Sequence, residues 1–395
     1  MKKHFNKVLL ILLDSKISHR HYLMLKTLKK RGWHINVIAW DRQNNDNKYH
    51  YYKEIVDEWY WINVQAPTGK LSIITKMPRF FYKLWKIIGI LPKPDLLIIS
   101  HLALLPLAPF ISSKMIFDDI EMYIKQIPIY YLGPLANIAS SVMSVLVGLV
   151  VKQINGVTIV DSKGSWLEKY YKKWNPLVQV IWNLPSALTK ASPSIEPSVA
   201  SWLSDRQVVA YVGGSFRQKG LHAALETCAI VKQKYPQVLF LFIGQLKDDV
   251  NEIGKLIKSL SIKDNVYFVK QMSYEDMLAY LNYAQIGLAL YQPAMHYELV
   301  SAGNGRKIFT YMQAGLPIIA PKFGEISMVV KREECGLLVD TTKPEEISQA
   351  ILYLLDYPEE AKKMGEKGIQ AFLQKYNWEQ EEHKFISFLE KVLAD

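Results

Sequence analysis

Two short stretches in the rear of the chain combine glycines with cations in a way that suits phosphate. The first is Gly213 Gly214 Ser215 Phe216 Arg217 Gln218 Lys219 Gly220, set between the apolar run Val208 to Val212 and a helix-like stretch, Leu221 to Lys234. Glycines let the backbone turn tightly and expose N–H groups, a helix start adds positive potential, and Arg217 and Lys219 add full charges. The spacing is neither a Walker loop nor G-x-G-x-x-G. The second stretch is Gly303 Asn304 Gly305 Arg306 Lys307 followed by Ile308 to Ala314, after which Gly315 Leu316 Pro317 stops the helix before another apolar run. Either stretch alone also reads as an ordinary turn with surface cations. Two cationic helix starts in one domain are expected to converge on a diphosphate.

The elements that position these loops follow from an alternation of short apolar runs with segments of helical length, which implies parallel sheets with crossover helices. In the front half the strand candidates are Val8 to Leu13, Ile35 to Ala39, Leu96 to Ser100, Met115 to Asp118, Val157 to Val160 and Val178 to Ile181. In the rear half they are Val208 to Val212, Val238 to Ile243, Val266 to Val269, Ile286 to Leu290 and Pro317 to Ala320. The expected fold class is α/β, two Rossmann-like doubly wound domains facing across a cleft, with ligands at the carboxyl ends of the strands. The chain has 395 residues, enough for two domains. A Ser- and Pro-rich stretch, 186–198, is the expected linker, between a front domain of residues 1–185 and a rear domain of residues 199–378.

The rear half from Val208 onward resembles family-4-type glycosyltransferases of the GT-B fold, which transfer a sugar from a nucleotide diphosphate donor. The residues that carry the resemblance are the loop ending Lys219 Gly220, the strand Leu241 Phe242 Ile243 Gly244, the run Lys307 to Ile319, then Cys335 Gly336 Leu337 Leu338 Val339 Asp340, and Tyr376 Asn377 Trp378 Glu379. In the front half the match is thinner. Arg20 corresponds to an Arg of the relatives' first strand-helix loop, Lys93 to His101 looks like their strand ending in His, and Phe117 Asp118 Asp119 Ile120 Glu121 resembles their Asp-x-x-Glu segment. The resemblance implies a donor-binding rear domain contacted by Gly213, Gly214, Arg217, Lys219, Gly244, Arg306, Lys307, Thr310 and Tyr311, and an acceptor-binding front domain with Arg20 on the acceptor side. It also implies that the last helix, residues 379–395, packs back onto the front domain. Relatives usually carry a ribose-binding Glu where Thr310 stands and a second Glu where Ala302 stands. Thr310 offers only a neutral hydrogen bond there, about half as strong as a charge-assisted one.

In such a transfer the bond from the anomeric carbon to the diphosphate breaks and negative charge builds on the leaving group, so cations aimed at it stabilise the transition state. Lys219, Arg217 and Lys307 are assigned that role. No D-x-D pair occurs in the chain, so no metal and no cofactor is expected, the nucleotide sugar being substrate. The relatives are retaining, and one mechanism proposed for them lets the departing phosphate oxygen take the acceptor proton. An inverting enzyme would need a protein base, for which Asp118, Glu121 and His101 are the candidates. Each also reads as a cap, a turn residue or a satisfied imidazole at a strand end.

Charge points to the acceptor. Residues 1–185 carry 25 Lys and Arg against 12 Asp and Glu, a net of +13, while residues 186–395 carry 23 against 25, a net of −2. A basic domain suits a polyanion, and without a helix-turn-helix, zinc or RNA-reading signature an anionic membrane face ranks above nucleic acid. Lys70 to Lys93 interleaves Lys76, Arg79, Lys83 and Lys86 with Phe80, Phe81, Tyr82 and Trp85, which fits a lipid surface or a solvated helix with inward aromatics. Gln126 to Val151 holds 26 residues without a charge. It reads as a buried helix, an interfacial helix or a short span. The N-terminal apolar run is too short for a secretory signal, and two cysteines, Cys228 and Cys335, make no disulfide framework. The expected location is cytoplasmic, peripheral at the inner membrane face, with a saccharide or lipid-diphosphate-linked acceptor for surface polysaccharide synthesis. A nucleotide-sugar epimerase, and a non-catalytic relative acting as a nucleotide-sugar or lipid-binding partner subunit, are the alternatives.

Overall fold

The computed structural model describes residues 6–42, 52–66, 70–111, 113–124, 135–192, 195–214, 216–293 and 302–394. Ser215, and residues 126–134 of the uncharged run, fall outside them. The chain forms two compact units, residues 1–183 with 381–395 and residues 184–380.

The front unit is a seven-stranded sheet in the order β3-β2-β1-β4-β5-β6-β7. Its strands are β1 (Lys7–Leu12), β2 (His34–Asp41), β3 (Glu58–Asn63), β4 (Leu96–Ile99), β5 (Lys114–Asp119), β6 (Gly156–Ile159) and β7 (Val178–Val180). Every pairing is parallel, for instance Ile11 beside Ile38 and Ile99. Parallel strands are covered on both faces, which is why β1, β4 and β6 are buried almost end to end. The first crossover helix, His19–Lys30, starts where the Ser18 side chain accepts from the His21 N–H. β3 was absent from the strand candidates although Glu58 Trp59 Tyr60 Trp61 Ile62 Asn63 is rich in aromatics. It is an edge strand with a half-buried pattern, which weakens the apolar signal.

The rear unit is a six-stranded parallel sheet, β10-β9-β8-β11-β12-β13. Its strands are β8 (Val208–Val212), β9 (Leu239–Ile243), β10 (Val266–Val269), β11 (Ile286–Leu288), β12 (Ile318–Pro321) and β13 (Gly336–Val339). β13, also missing from the strand candidates, is short and only half-buried. In both sheets strand order reverses beside the first strand, between β1 and β4 and between β8 and β11. Those reversals are where doubly wound folds open a ligand crevice.

Residues 186–192 are tied to the rear unit rather than hanging free. Gln313 Nε2 donates to the Ser186 and Thr189 carbonyls, the Ala187 N–H donates to Glu379, and the Ser192 hydroxyl donates to Asp276. The final helix, Trp378–Ala394, leaves the rear unit at residue 380, buries Phe385, Phe388 and Val392, and accepts the Trp182 N–H on Glu381 at 2.9 Å.

Candidate functional site

At the β8/β11 reversal the backbone is shaped by glycine. The Gly213 N–H donates to the Ile243 carbonyl at 2.8 Å, so the ends of β8 and β9 run against each other. Gly244, with φ +141°, faces Gly213 so closely that a Cβ would lie 2.4 Å from the Gly213 carbonyl oxygen. Gly220 (φ +86°) opens the helix Leu221–Val231 without a side-chain cap, and a Cβ there would meet the Leu290 carbonyl at 2.2 Å. The Leu221 N–H at its start donates to the Phe216 carbonyl at 3.3 Å, which closes the loop onto the helix.

Three lysines gather over this glycine turn. Lys307, at the start of the helix Arg306–Gln313, is buried at 7% exposure, and its Cε would be 3.4 Å from a Cβ on Gly213. Its ammonium sits 3.5 Å from the Tyr211 ring centroid and 5.6 Å from that of Tyr291, and has no hydrogen-bond partner among the described residues. Burial, and then the charge of Lys219, push its pKa well below the usual lysine range. Lys219 and Lys247 lie 5.2 and 5.6 Å from the Phe216 ring centroid, and a Cβ on Gly214 would come 3.2 Å from the Lys247 Cε. A buried cation without an anion is costly, and a diphosphate at the glycine turn would supply the missing charge.

The other rear candidates are placed differently from one another. Arg217 is exposed and turned toward His222, 3.2 Å away, while its N–H donates to Asp248. Arg306 lies 5.7 Å from the Tyr274 ring centroid. Two expectations are corrected. The Tyr311 hydroxyl accepts from the Val212 N–H at 2.9 Å and donates to the Leu288 carbonyl at 2.9 Å from a fully buried position, so Tyr311 braces β8 against β11 instead of facing a donor. The Thr310 hydroxyl is 2% exposed and is spent on the Arg306 carbonyl and the Tyr274 hydroxyl, both at 3.2 Å, so as placed it offers nothing to a ribose.

In the front unit Asp118 is fully buried at the end of β5. Arg20 forks onto it at 2.7 and 2.9 Å, the Thr158 hydroxyl donates at 2.6 Å, and His21 Nε2 stands 3.0 Å away. Against the burial that would raise it, the Arg20 charge holds the carboxyl far below its usual range. Arg20 also donates to the Ile181 carbonyl at 2.6 Å. Asp118 and Arg20 therefore form an internal clamp, which corrects the expectation of a catalytic carboxylate and an acceptor-side arginine, since neither has surface to meet a substrate.

His101 caps the 3-10 segment Leu102–Phe110 by accepting the Ala103 N–H at 3.1 Å, and burial lowers its pKa to about 4, so it is neutral at pH 7. Glu121 is exposed on the turn after β5. Asp119, not singled out for a role, accepts the Tyr171 hydroxyl at 2.6 Å and is raised to about 6 by burial.

Two features escaped the sequence reading. Lys247 carries no motif, its one signal being a cation three residues after the strand-ending Gly244. The other is a cavity of about 580 Å³ in the front unit, where Asp41, Asn63, Gln65, Ser72, Lys76 and Arg79 meet from β2, β3 and the helix Lys70–Ile90. Residues so far apart in the chain leave no local pattern. Among the described residues no group of His, Cys, Asp and Glu is clustered to hold a metal ion.

Residues 196–371, all within the rear unit, match the family model of glycosyl transferases group 1. Among curated proteins, the spore coat protein SA of Bacillus subtilis (strain 168) is 24% identical over 200 residues, covering 48% of this chain and 50% of that protein. The chain thus spans about half the length of that relative. Among solved structures, sucrose-phosphate synthase from Thermosynechococcus elongatus superposes with a TM-score of 0.71 at 18% identity, over 98% of this chain and 99% of that one. The Anabaena HepE protein in complex with UDP and glucose gives 0.72 at 14% identity, over 98% and 99%. The fold is GT-B.

Proposed function

We propose that the protein is a glycosyltransferase whose rear unit holds a nucleotide diphosphate sugar with its diphosphate over Gly213 and Gly214. The observation that carries this reading is the buried, unpartnered ammonium of Lys307 beside the Gly213–Gly244 turn. Lys219, Lys247, Arg217 and Arg306, with the two helix starts, supply the remaining positive potential. The UDP-bound HepE neighbour favours UDP as the donor nucleotide.

In the reaction the bond between the anomeric carbon and the diphosphate oxygen breaks, the acceptor oxygen bonds that carbon, and the acceptor proton goes to the departing phosphate. This retaining route asks for no protein base, which suits a front unit whose Asp118 is locked in an ion pair and whose His101 is a neutral cap. Lys307 and Lys219 stabilise the leaving group as its charge grows. The acceptor is a saccharide, free or linked to a lipid diphosphate, bound in the cavity lined by Asn63, Gln65, Lys76 and Arg79. A net charge of +13 over residues 1–185 supports work at an anionic membrane face, as surface polysaccharide synthesis requires.

Thermal-shift measurements with UDP, GDP and ADP test the donor site. At a hundred times its Kd a ligand stabilises by about 2.7 kcal/mol, a rise of roughly 5 to 10 °C for a unit of this size. One of the three is expected to give that rise and Lys307→Ala to remove it. No shift with any of them overturns the reading.

A further inference from the structure

The helix Ala136–Val151 is built the wrong way round for a helix that faces water. One side is packed: Val147 and Val151 are buried, the Tyr170 hydroxyl donates to the Ser144 carbonyl at 2.5 Å, and Gly148 meets Trp174 so closely that a Cβ would stand 2.1 Å from the indole. The opposite side should then be polar. Instead Ile138, Val142, Val145, Leu146 and Leu149 stand out at 68, 57, 52, 59 and 49% exposure, with Leu135 just before them. Their spacing of three and four residues makes one stripe. The Ser141 and Ser144 hydroxyls turn back onto the carbonyls of Asn137 and Ser140, so they ask little of a solvent.

The stripe continues onto two neighbours. The 3-10 segment Leu102–Phe110 packs along this helix, and its exposed Phe110 lies edge-on to Trp85 of the helix Lys70–Ile90 at 5.9 Å. That helix adds exposed Ile74, Tyr82, Trp85 and Ile90 together with exposed Lys76, Arg79 and Lys86. Across the sequences of the three elements there are cations and no Asp or Glu.

We propose that this face seats the front unit on an anionic lipid surface, with the stripe from Ile138 to Leu149 and the Trp85–Phe110 pair among the acyl chains and the lysines and arginine at the headgroups. It deepens the membrane reading given under Proposed function and rests on it. Apolar residues and aromatics beside a basic, acid-free helix match lipid chemistry on both counts. A second copy of the chain fits worse, because a two-fold contact would set these cations against themselves. Among the described residues no helix is long and apolar enough to cross a membrane, so the helix lies along the surface.

The test is co-sedimentation of the full chain, without nucleotide, on phosphatidylcholine vesicles with and without phosphatidylglycerol. Wild type is expected to bind the anionic vesicles more tightly. The double variant Val142→Glu, Leu146→Glu is expected to weaken that binding by at least about tenfold while keeping its melting temperature and its response to UDP. Lys86→Gln is expected to lower affinity several-fold on anionic vesicles only. Wild-type binding that the Val142→Glu, Leu146→Glu variant leaves unchanged overturns the proposal while sparing the membrane reading, whereas no wild-type binding to either vesicle sinks both. A lipid-free dimer that the same double variant splits overturns it in favour of self-association.

Discussion

The ring of Tyr211 joins the two cationic loops: its face lies 3.5 Å from the Lys307 ammonium, and its hydroxyl donates to the Lys219 carbonyl at 2.7 Å. A contact of this kind contributes about 0.5 to 2 kcal/mol, less than the cost of burying an unpaired ammonium. The apo protein is therefore under electrostatic load at this point.

That load has a sign. A lysine whose folded pKa is depressed binds fewer protons folded than unfolded, so its contribution falls away as pH drops through the ordinary lysine range, and the deficit is present at pH 7. Lys307→Met is expected to raise the melting temperature of the apo protein by a few degrees and to abolish stabilisation by a nucleoside diphosphate. A variant that melts lower and still responds to the nucleotide would remove Lys307 from the site.

Arg20 and Asp118 make the opposite case, a buried pair with both partners at 1% exposure or less. Arg20→Met strands a buried carboxylate and is expected to cost about 3 to 5 kcal/mol in urea unfolding at pH 7. Asp118 has a depressed pKa, so its contribution is present above the ordinary aspartate range and is lost as pH falls through its lower folded value. A loss below about 1 kcal/mol would mean that the pair is open to water.

Asp119 and His101 work against each other in mild acid. Asp119, raised to about 6, favours the folded state fully below the ordinary aspartate range and loses that contribution as pH rises through 6. His101, lowered to about 4, contributes above the ordinary histidine range and loses it as pH falls toward 4. In melting curves from pH 4 to 7, Asp119→Asn should steepen the loss of stability toward low pH and His101→Gln should flatten it. Identical slopes in both variants would refute the assignment.

Gly244→Ala tests the turn itself. It puts a Cβ 2.4 Å from the Gly213 carbonyl at a φ of +141°, and is expected to cost more than about 1 to 3 kcal/mol. The nucleotide response should weaken with it, because in the proposed site the same backbone would seat the phosphates. Wild-type stability in the variant would show that the two strand ends are not in contact.

The two glycine-and-cation loops were legible in the chain, since glycines and cations ahead of a helix are local patterns. So was the alternation that builds two parallel sheets, apart from β3 and β13, whose half-buried residues carry a weak apolar signal. Depth along a shared face was not legible. Lys307 and Tyr311 stand four residues apart on one side of a helix, yet about 6 Å of rise along its axis leaves the lysine at the mouth of the turn. The tyrosine reaches the backbone of β8 and β11.

The sequence by itself determined a basic front half with an uncharged stretch and a rear half with two loops of glycines and cations. Only the tertiary structure decided that Asp118 would meet Arg20, 98 residues away, and become a clamp rather than a base. It also chose the covered side of Ala136–Val151. Small or polar Asn137, Ser141, Ser144 and Gly148 recur at helical spacing, a pattern that allows close approach, and the close fit of Gly148 against Trp174 leaves the side from Ile138 to Leu149 bare.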